Sequence, residues 1–485
     1  MVIRGEGDRS DRSLSKALPS WRREALRTNF WLVPTVLVLV AGALFAVTFS
    51  VDLAAYHGDF RLPFWIRTGS ADAGREVLIS IAAGIITVVG VVFSITIVAL
   101  TLASQQFGPR MMRNFVRDLG NQFTLGVFVG TFVYAVLALG SITSEPRGDF
   151  VPHLSITVAE ALLLVDLAVL IYFIHHIAKT IQLPEVIASI ARDLMRAIDD
   201  EFPDQSDDEP GSAPAAGPGR SVEEIQQLVE TRGAVVPAST SGYLQFVSYT
   251  NLVEVAMQTD SVIRLNYRPG HFLVAGHPVA SVWPQGAAQQ VSHQLAAAHI
   301  TGPHRTLMQD PVFAIDQLVE IAIRALSPAV NDTFTALTCI DWLSAGLSRV
   351  STRELVEGVY RDKNGRVRLI ESGPSYARMV DRAFDKIRQA AQGMPAVLIR
   401  LLAAIAAIMH DTVSAEQRRV LRRQADMIYR EAQRSVTEPN DLADIRERYE
   451  LAAGGGDQPS QNGGEPETLR RVQFGEPPEV GASGV

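Results

Sequence analysis

The sequence predicts an α-helical membrane domain of four transmembrane helices, followed by a cytoplasmic α+β domain with a small β subdomain and a helical C-terminal part. Three observations carry this. Apolar residues concentrate in the first 180 of the 485 positions, and charges gather afterwards. Four apolar segments there reach the roughly 20 helical residues that cross a hydrocarbon core of about 30 Å. Beyond residue 220, short strand-like runs bounded by turn residues give way to helical text. A chain this long exceeds one compact core. The net charge of −8 argues against a nucleic-acid partner, which normally needs a clustered basic face. The single cysteine, Cys339, leaves no internal disulfide framework and fits a reducing compartment.

Residues 1–29 form a polar N-terminus with Arg4, Arg9, Arg12, Lys16, Arg22, Arg23 and Arg27. The apolar run from Phe30 has full membrane length, so a cleaved signal peptide is not expected. The membrane domain, 30–180, holds segments at 30–51 (FWLVPTVLVLVAGALFAVTFSV), 76–103, 122–142 (QFTLGVFVGTFVYAVLALGSI) and 154–177 (LSITVAEALLLVDLAVLIYFIHHI). The second connection carries Arg110, Arg113 and Arg117, whereas the other two hold Arg61, Arg67 and Arg75, then only Arg147. The positive-inside rule therefore places both termini in the cytoplasm.

In the second segment Ser80, Thr87, Ser94 and Thr101 recur every seven residues, with Gly84 and Gln105 on the flank. Seven-residue spacing drifts about 20° per step, giving a slightly slanted stripe. Such hydroxyls can bond an earlier carbonyl and help helices pack, or line a wetted path for ions or small solutes. Gly126 and Gly130 make a GxxxG pair, and Gly90 with Ser94 a second small-residue pair. These suit close packing within one bundle or self-association. The fourth segment carries Glu160 and, nearer mid-membrane, Asp166, six residues apart and so on different sides. Both are expected to face the bundle interior, a water-filled cavity or a partner, with Asp166 in reach of hydroxyls on the second helix. His175 and His176 fall at the cytoplasmic interface. Gly108-Pro109 stops the second helix, and Arg110, Arg113 and Arg117 then share one face of a short interfacial helix, a headgroup anchor or a basic collar.

Residues 181–220 read as a helical connector broken at Pro184 and a flexible acidic linker, PDQSDDEPGSAPAAGPGR. The β-rich subdomain, 221–285, has strands in GAVVPAS, GYLQFVSY, SVIRLNY and GHFLVAGHPVASVWP, with a short helix in NLVEVAMQTD. Turns at Pro269-Gly270 and Gly276 give the last run the look of a small-barrel hairpin. The region 286–452 is predicted helical. Its most distinctive text is HRTLMQDPVFAIDQLVEIAIRALSPAVNDTFTALTCIDWL, where Asp316, Glu320 and Arg324 share a polar side. Ser327-Pro328 ends one helix and Asn331 or Asp332 caps the next. Ser327, Asn331, Asp332 and Thr333 thus form a tight turn, or a loop binding an anion or a neighbouring subunit. PAVLIRLLAAIAAIMHD is short and interrupted by Arg400, so it reads as a buried helix rather than a span. The tail, 453–485, is predicted disordered.

VGVVFSITIVALTLASQQFGPRMMRNFVRDLGNQFTLGVFVGTFVY and QLVEIAIRALSPAVNDTFTAL resemble a bacterial family of predicted membrane proteins, domain of unknown function 2254, over about residues 25–435. The resemblance implies a bacterial inner-membrane protein with an N-terminal membrane part and a cytoplasmic C-terminal part. It brings no catalytic residues.

No P-loop, G-x-S-x-G, HExxH or CxxC signature occurs. His271 and His277 fall on one predicted hairpin, and His293 and His299 on one predicted helix. Neither pair has the carboxylates or cysteines of a zinc site, so no metal, cofactor or enzymatic activity is expected. The expected function is a homo-oligomeric channel or transport-like protein in the lipid bilayer. The second helix would line the path of an ion or small solute, and the cytoplasmic domain would assemble and regulate it. The alternative is a membrane-anchored scaffold or sensor whose cytoplasmic domain binds a partner.

Overall fold

Four helices take up the apolar segments: α1 Leu32–His57, α2 Ala71–Phe107, α3 Leu119–Ser141 and α4 His153–Thr180, each long and apolar enough to cross a membrane. The computed structural model describes residues 31–58, 63, 66, 69–107, 118–143, 150–180, 182–202, 220–353, 358–373 and 375–454. Arg110, Arg113 and Arg117, the linker from 203 to 219, the tail beyond 454 and the side chain of Gln105 lie outside the described residues. The chain divides into two compact units, Met1–Val186 and Ile187–Val485.

In the first unit α3 packs on α1, α2 and α4. The GxxxG pair explains the approach of α1. A Cβ on Gly126 would lie 2.6 Å from Leu37 Cδ1 and 3.0 Å from Pro34 Cα, and one on Gly130 3.4 Å from Ala41 Cβ. Those glycines therefore serve packing inside one chain, through close backbone approach. Leu78, Ile85, Phe128, Tyr134, Ile156 and Phe173 fill the space between helices. Asp118 caps α3, its Oδ1 accepting from the Gly120 and Asn121 amides at 2.7 and 3.2 Å.

The second unit opens with most of α5, Leu183–Glu201, which starts beside Pro184 and buries Ile187, Ile190, Ala191, Leu194, Ala197 and Ile198 at helical spacing. Helix α6, Val222–Arg232, starts in a Ser221/Glu224 capping box. The predicted strands form as β1 Ala234–Pro237, β2 Gly242–Val247, β3 Val262–Leu265, β4 Phe272–Leu273 and β5 Pro278–Trp283, with α7 Tyr249–Gln258 between β2 and β3. Then come α8 Ala288–Ala298, β6 His299–Gly302, α9 Pro311–Ala325 and α10 Thr333–Ser351. Strands β7 Val359–Arg361 and β8 Val367–Ile370 precede α11 Tyr376–Ala390, α12 Pro395–Asp411, α13 Ala415–Ser435 and α14 Pro439–Gly454.

Two sheets result, ordered β1-β5-β3-β8-β7 and β4-β2-β6. This corrects the hairpin expected around Gly276. Strand β4 pairs with β2, while β5 pairs with β1 and β3, so the chain changes sheet at the turn. Backbone bonds decide the switch: Gly270 N donates to Leu244 O, and Gly276 N to Ala238 O. Three strands also lie within the region read as helical, and β8 completes the first sheet by pairing in parallel with β3. All four residues of β8 are buried, so its run lacks the alternation that marks a half-exposed strand. His299 starts β6 instead of sharing a helix with His293. Helix α12 buries Val397, Leu398, Leu401, Leu402, Ile405 and Ile408 against its neighbours, as expected for a core helix of this unit.

Candidate functional site

The hydroxyl stripe of α2 bonds its own backbone. Ser80, Thr87 and Thr101 donate to the Glu76, Ala83 and Ile97 carbonyls at 2.7, 2.8 and 2.8 Å. Ser80, Gly84, Thr87, Gly90, Ser94 and Thr101 are all exposed, and a Cβ on Gly84 or Gly90 would meet nothing within 4 Å. The opposite side of α2, with Leu78, Ile81, Ile85, Val92 and Ala99, does the packing. Of the two roles expected of Gly90, packing within the bundle is not the one it takes: none of the chain's described residues packs on it.

The two acids of α4 part company. Asp166 is 2% exposed and accepts from Thr131 Oγ1 of α3 at 3.1 Å, while its Oδ2 has no partner. Its hydroxyl partner thus comes from α3, not from the second helix as expected. Glu160 is exposed on the outer surface of the helices, not turned into the bundle.

A third acid, Asp52, was hidden by its position just past the first apolar segment. Helix α1 continues to His57, and the Asp52 carboxylate caps α4 from outside. It accepts from Leu154 N at 2.8 Å, Ser155 N at 2.9 Å and Ser155 Oγ at 2.7 Å. Nearby, Thr48 Oγ1 donates to Phe45 O at 3.0 Å, leaving it to accept from Tyr134 OH at 2.8 Å. At the far end of α4, His176 Nε2 lies 2.9 Å from Asp118 Oδ1 and its ring stacks on Tyr172. His176 is thus partnered within the chain, while His175 beside it is exposed.

The second unit holds a polar cluster that no sequence motif announces. Glu201 ends α5, Tyr249 begins α7, Arg268 precedes β4, Asp310 precedes α9 and Glu371 follows β8; with others they line a cavity of about 10 Å³. That is room for about one water. Tyr360 OH donates to Glu371 Oε1 at 3.1 Å, the Tyr249 and Tyr360 rings stack at 5.0 Å, and Glu371 Oε2 is buried without a partner. Arg305 Nε donates to Asp310 Oδ2 at 2.8 Å and Nη1 to Asp316 Oδ2 at 2.5 Å. Gly270, at φ 92°, brings its backbone against the Asp310 carboxylate, where a Cβ would lie 2.1 Å from Oδ2.

Burial dominates the titration of this cluster. It pushes the Glu201 carboxyl up to about 7, with the Glu371 charge adding to the shift. Burial likewise raises Glu371, and raises Asp310 despite Arg305. His271 is held down at about 4, first by burial and then by the charges of Arg268, Arg378, Arg305 and Arg382. Chemically the cluster can keep the Glu201 carboxyl protonated up to about neutral pH. Its members are scattered from position 201 to position 371 at five different elements, which is why spacing gave no signal.

The loop candidates form the tight turn. Ser327 Oγ donates to Arg324 O at 2.7 Å, and Asn331 adopts φ 51°. Thr333 is the first residue of α10, which Asp332 caps by accepting from Thr335 N at 3.1 Å and Thr335 Oγ1 at 2.6 Å. Cys339 is fully buried, and burial pushes its thiol up to about 12, which suits a core residue.

Four apolar helices of membrane-crossing length, held together by small-residue contacts and buried carboxylate bonds and followed by a mixed α/β unit, define a multi-pass membrane protein. The chain belongs to the family described as predicted membrane protein, domain of unknown function 2254, whose model matches residues 27–407. Uncharacterized proteins of Mycobacterium bovis and Mycobacterium tuberculosis are each 31% identical to it over 426 residues, covering 86% of this chain and 79% of the relative. No solved structure matches the chain.

Proposed function

We propose that this protein is a homo-oligomeric channel or transport-like protein of a bacterial inner membrane, with both termini in the cytoplasm and no catalytic role. The stripe of α2 faces neighbouring copies and the path between them, and the unit Ile187–Val485 assembles and regulates the pore. The carrying observation is that the polar side of α2 is left uncovered by the chain's own helices. Lipid tails gain nothing from a row of hydroxyls and glycines, whereas a second helix can approach them closely and permeating solutes can exchange hydration for them. Glu160, also outward, carries a carboxylate whose burial in lipid is costly and whose burial against a copy or a wet path is not. At 1.5 Å per residue the 37 residues of α2 extend about 56 Å, enough to carry the path beyond the hydrocarbon core. The arginines before α1 and between α2 and α3 support the orientation.

Reconstituted into planar bilayers or flux vesicles, the protein should conduct, and Thr87→Leu or Ser94→Leu should reduce the flux several-fold without unfolding it. Absence of flux, with both substitutions weakening only self-association, would sink the channel and leave the membrane-anchored scaffold. The internal bonds of Ser80, Thr87 and Thr101 favour that second reading, because hydroxyls satisfied by their own helix need no water.

A further inference from the structure

Helices α5 and α10 run side by side in the same direction. A Cβ on Gly346 of α10 would lie 2.8 Å from Leu194 Cδ2 of α5. One turn on, Arg349 Nε and Nη2 donate to Asp199 at 2.7 and 3.0 Å. A further turn on, Arg353 Nη1 donates to Phe202 O at 2.6 Å. The partners advance together, 194 with 346, 199 with 349 and 202 with 353. Counting back at 1.5 Å per residue sets Ile187, where the chain enters this unit, level with the first turns of α10.

That end of the unit carries the α9–α10 turn. Pro328, Ala329 and Val330 are exposed there, Val330 at 55%, and Phe334 in the first turn of α10 is 82% exposed. Three amides of the turn bond within it. Val330 N and Asn331 N donate to Ser327 O at 3.0 and 2.9 Å, and Asp332 N to Ala325 O at 2.8 Å. Asp332 is the only charged residue from 327 to 335, and its carboxylate is engaged by Thr335. A tip with Val330 and Phe334 outward, three of its amides bonded internally and its one carboxylate engaged is suited to the headgroup–acyl boundary, where the exposed Asn331 amide still meets polar partners.

Only residues 181–186 separate Ile187 from Thr180, the end of α4. Four of them already belong to α5, and even fully extended six residues span no more than about 25 Å, which bounds the chain between the end of α4 and the entry to this unit. We propose that the Val330–Phe334 tip inserts into the headgroup–acyl boundary of the membrane that holds α1–α4, as a second, non-covalent anchor for the unit. The inference requires neither oligomerisation nor flux.

The test uses the full chain reconstituted in lipid vesicles. Val330→Cys and Phe334→Cys are each labelled with a nitrobenzoxadiazole dye, with the wild type and its buried Cys339 as background. Val413→Cys is the control. Val413 is 84% exposed and follows α12, which runs parallel to α10 through Asp341–Arg400 at 3.4 Å and Ser344–Ala404 at 3.3 Å, so it marks the opposite end. The dye at 330 and 334 should emit blue-shifted and be quenched several-fold more than at 413 by lipids carrying a doxyl group high on the acyl chain. Both effects should be independent of protein density. Water-like emission at 330 and 334, or equal quenching at all three positions, would overturn the proposal. So would a blue shift that is insensitive to doxyl lipid and grows with protein-to-lipid ratio, because it would mark a second copy as the occupant.

Discussion

Asp52→Leu is expected to destabilise the four-helix unit by about 3–5 kcal/mol, because it strands two amide donors and leaves the Ser155 hydroxyl only the longer 3.2 Å bond to Thr48 Oγ1. The Leu154 and Ser155 amides are the first orphan donors of α4, and the Asp52 carboxylate takes both together with the Ser155 hydroxyl. Ser155 is completely buried, so no water can replace the lost partner. Asp52→Asn keeps one carbonyl oxygen and should lose about half as much. Thermal unfolding of the detergent-solubilised protein measures both variants. Leu and Asn variants that melt together would show that packing, not acceptance of hydrogen bonds, makes Asp52 matter; a leucine variant melting with the wild type would refute the role altogether.

The second large effect is a pH dependence of the unit Ile187–Val485. The unfolded chain releases the Glu201 proton near the ordinary 4.5, whereas the folded unit retains it to about 7. Between those values the folded state binds the extra proton, so stability falls as pH rises and the penalty is complete above about 7. Glu371 and Asp310 shift in the same direction. His271 works oppositely: held at about 4 instead of 6.5, it favours the folded state increasingly as pH rises between those values. The two trends offset each other in mildly acidic solution, so the difference between wild type and Glu201→Gln isolates the carboxylate. That variant should match the wild type near pH 4.5 and exceed its stability above neutrality by on the order of 1–2 kcal/mol, allowing for the solvent that reaches Glu201. Melting curves of the full chain at stepped pH test this. Parallel profiles for the two proteins would remove Glu201 from the account.

The elements that were legible in the text share one property: their signal is local. Phe30 to Val51 is apolar throughout, and GYLQFVSY and SVIRLNY lie between turn residues, so length and patterning were enough. Gly126 and Gly130 were recognisable as packing positions, but not that Leu37 and Ala41 of α1 would fill the space beside them. Asp52 was missed because hydropathy ends the first segment at Val51, one residue before it. Its partner lies 103 positions away, which no periodicity reports. The hairpin reading failed for a similar reason. The two strands of that run, β4 and β5, lie where it was read as strand, yet pairing is chosen by the strands available across space, and β4 pairs with β2 while β5 pairs with β1 and β3.

The sequence by itself determined that this is a membrane protein with four apolar helices, an α/β unit behind them and a row of hydroxyls on the second helix. Chain length, hydropathy and residue spacing express those properties directly. Only the tertiary structure decided which faces are used. It turned the α2 stripe and Glu160 outward, turned Asp166 toward Thr131, and brought Glu201 and Glu371 to one small cavity. Burial belongs to contacts between residues remote in the chain, and those contacts set which polar groups are satisfied within one copy and which are left for lipid, solute or another molecule.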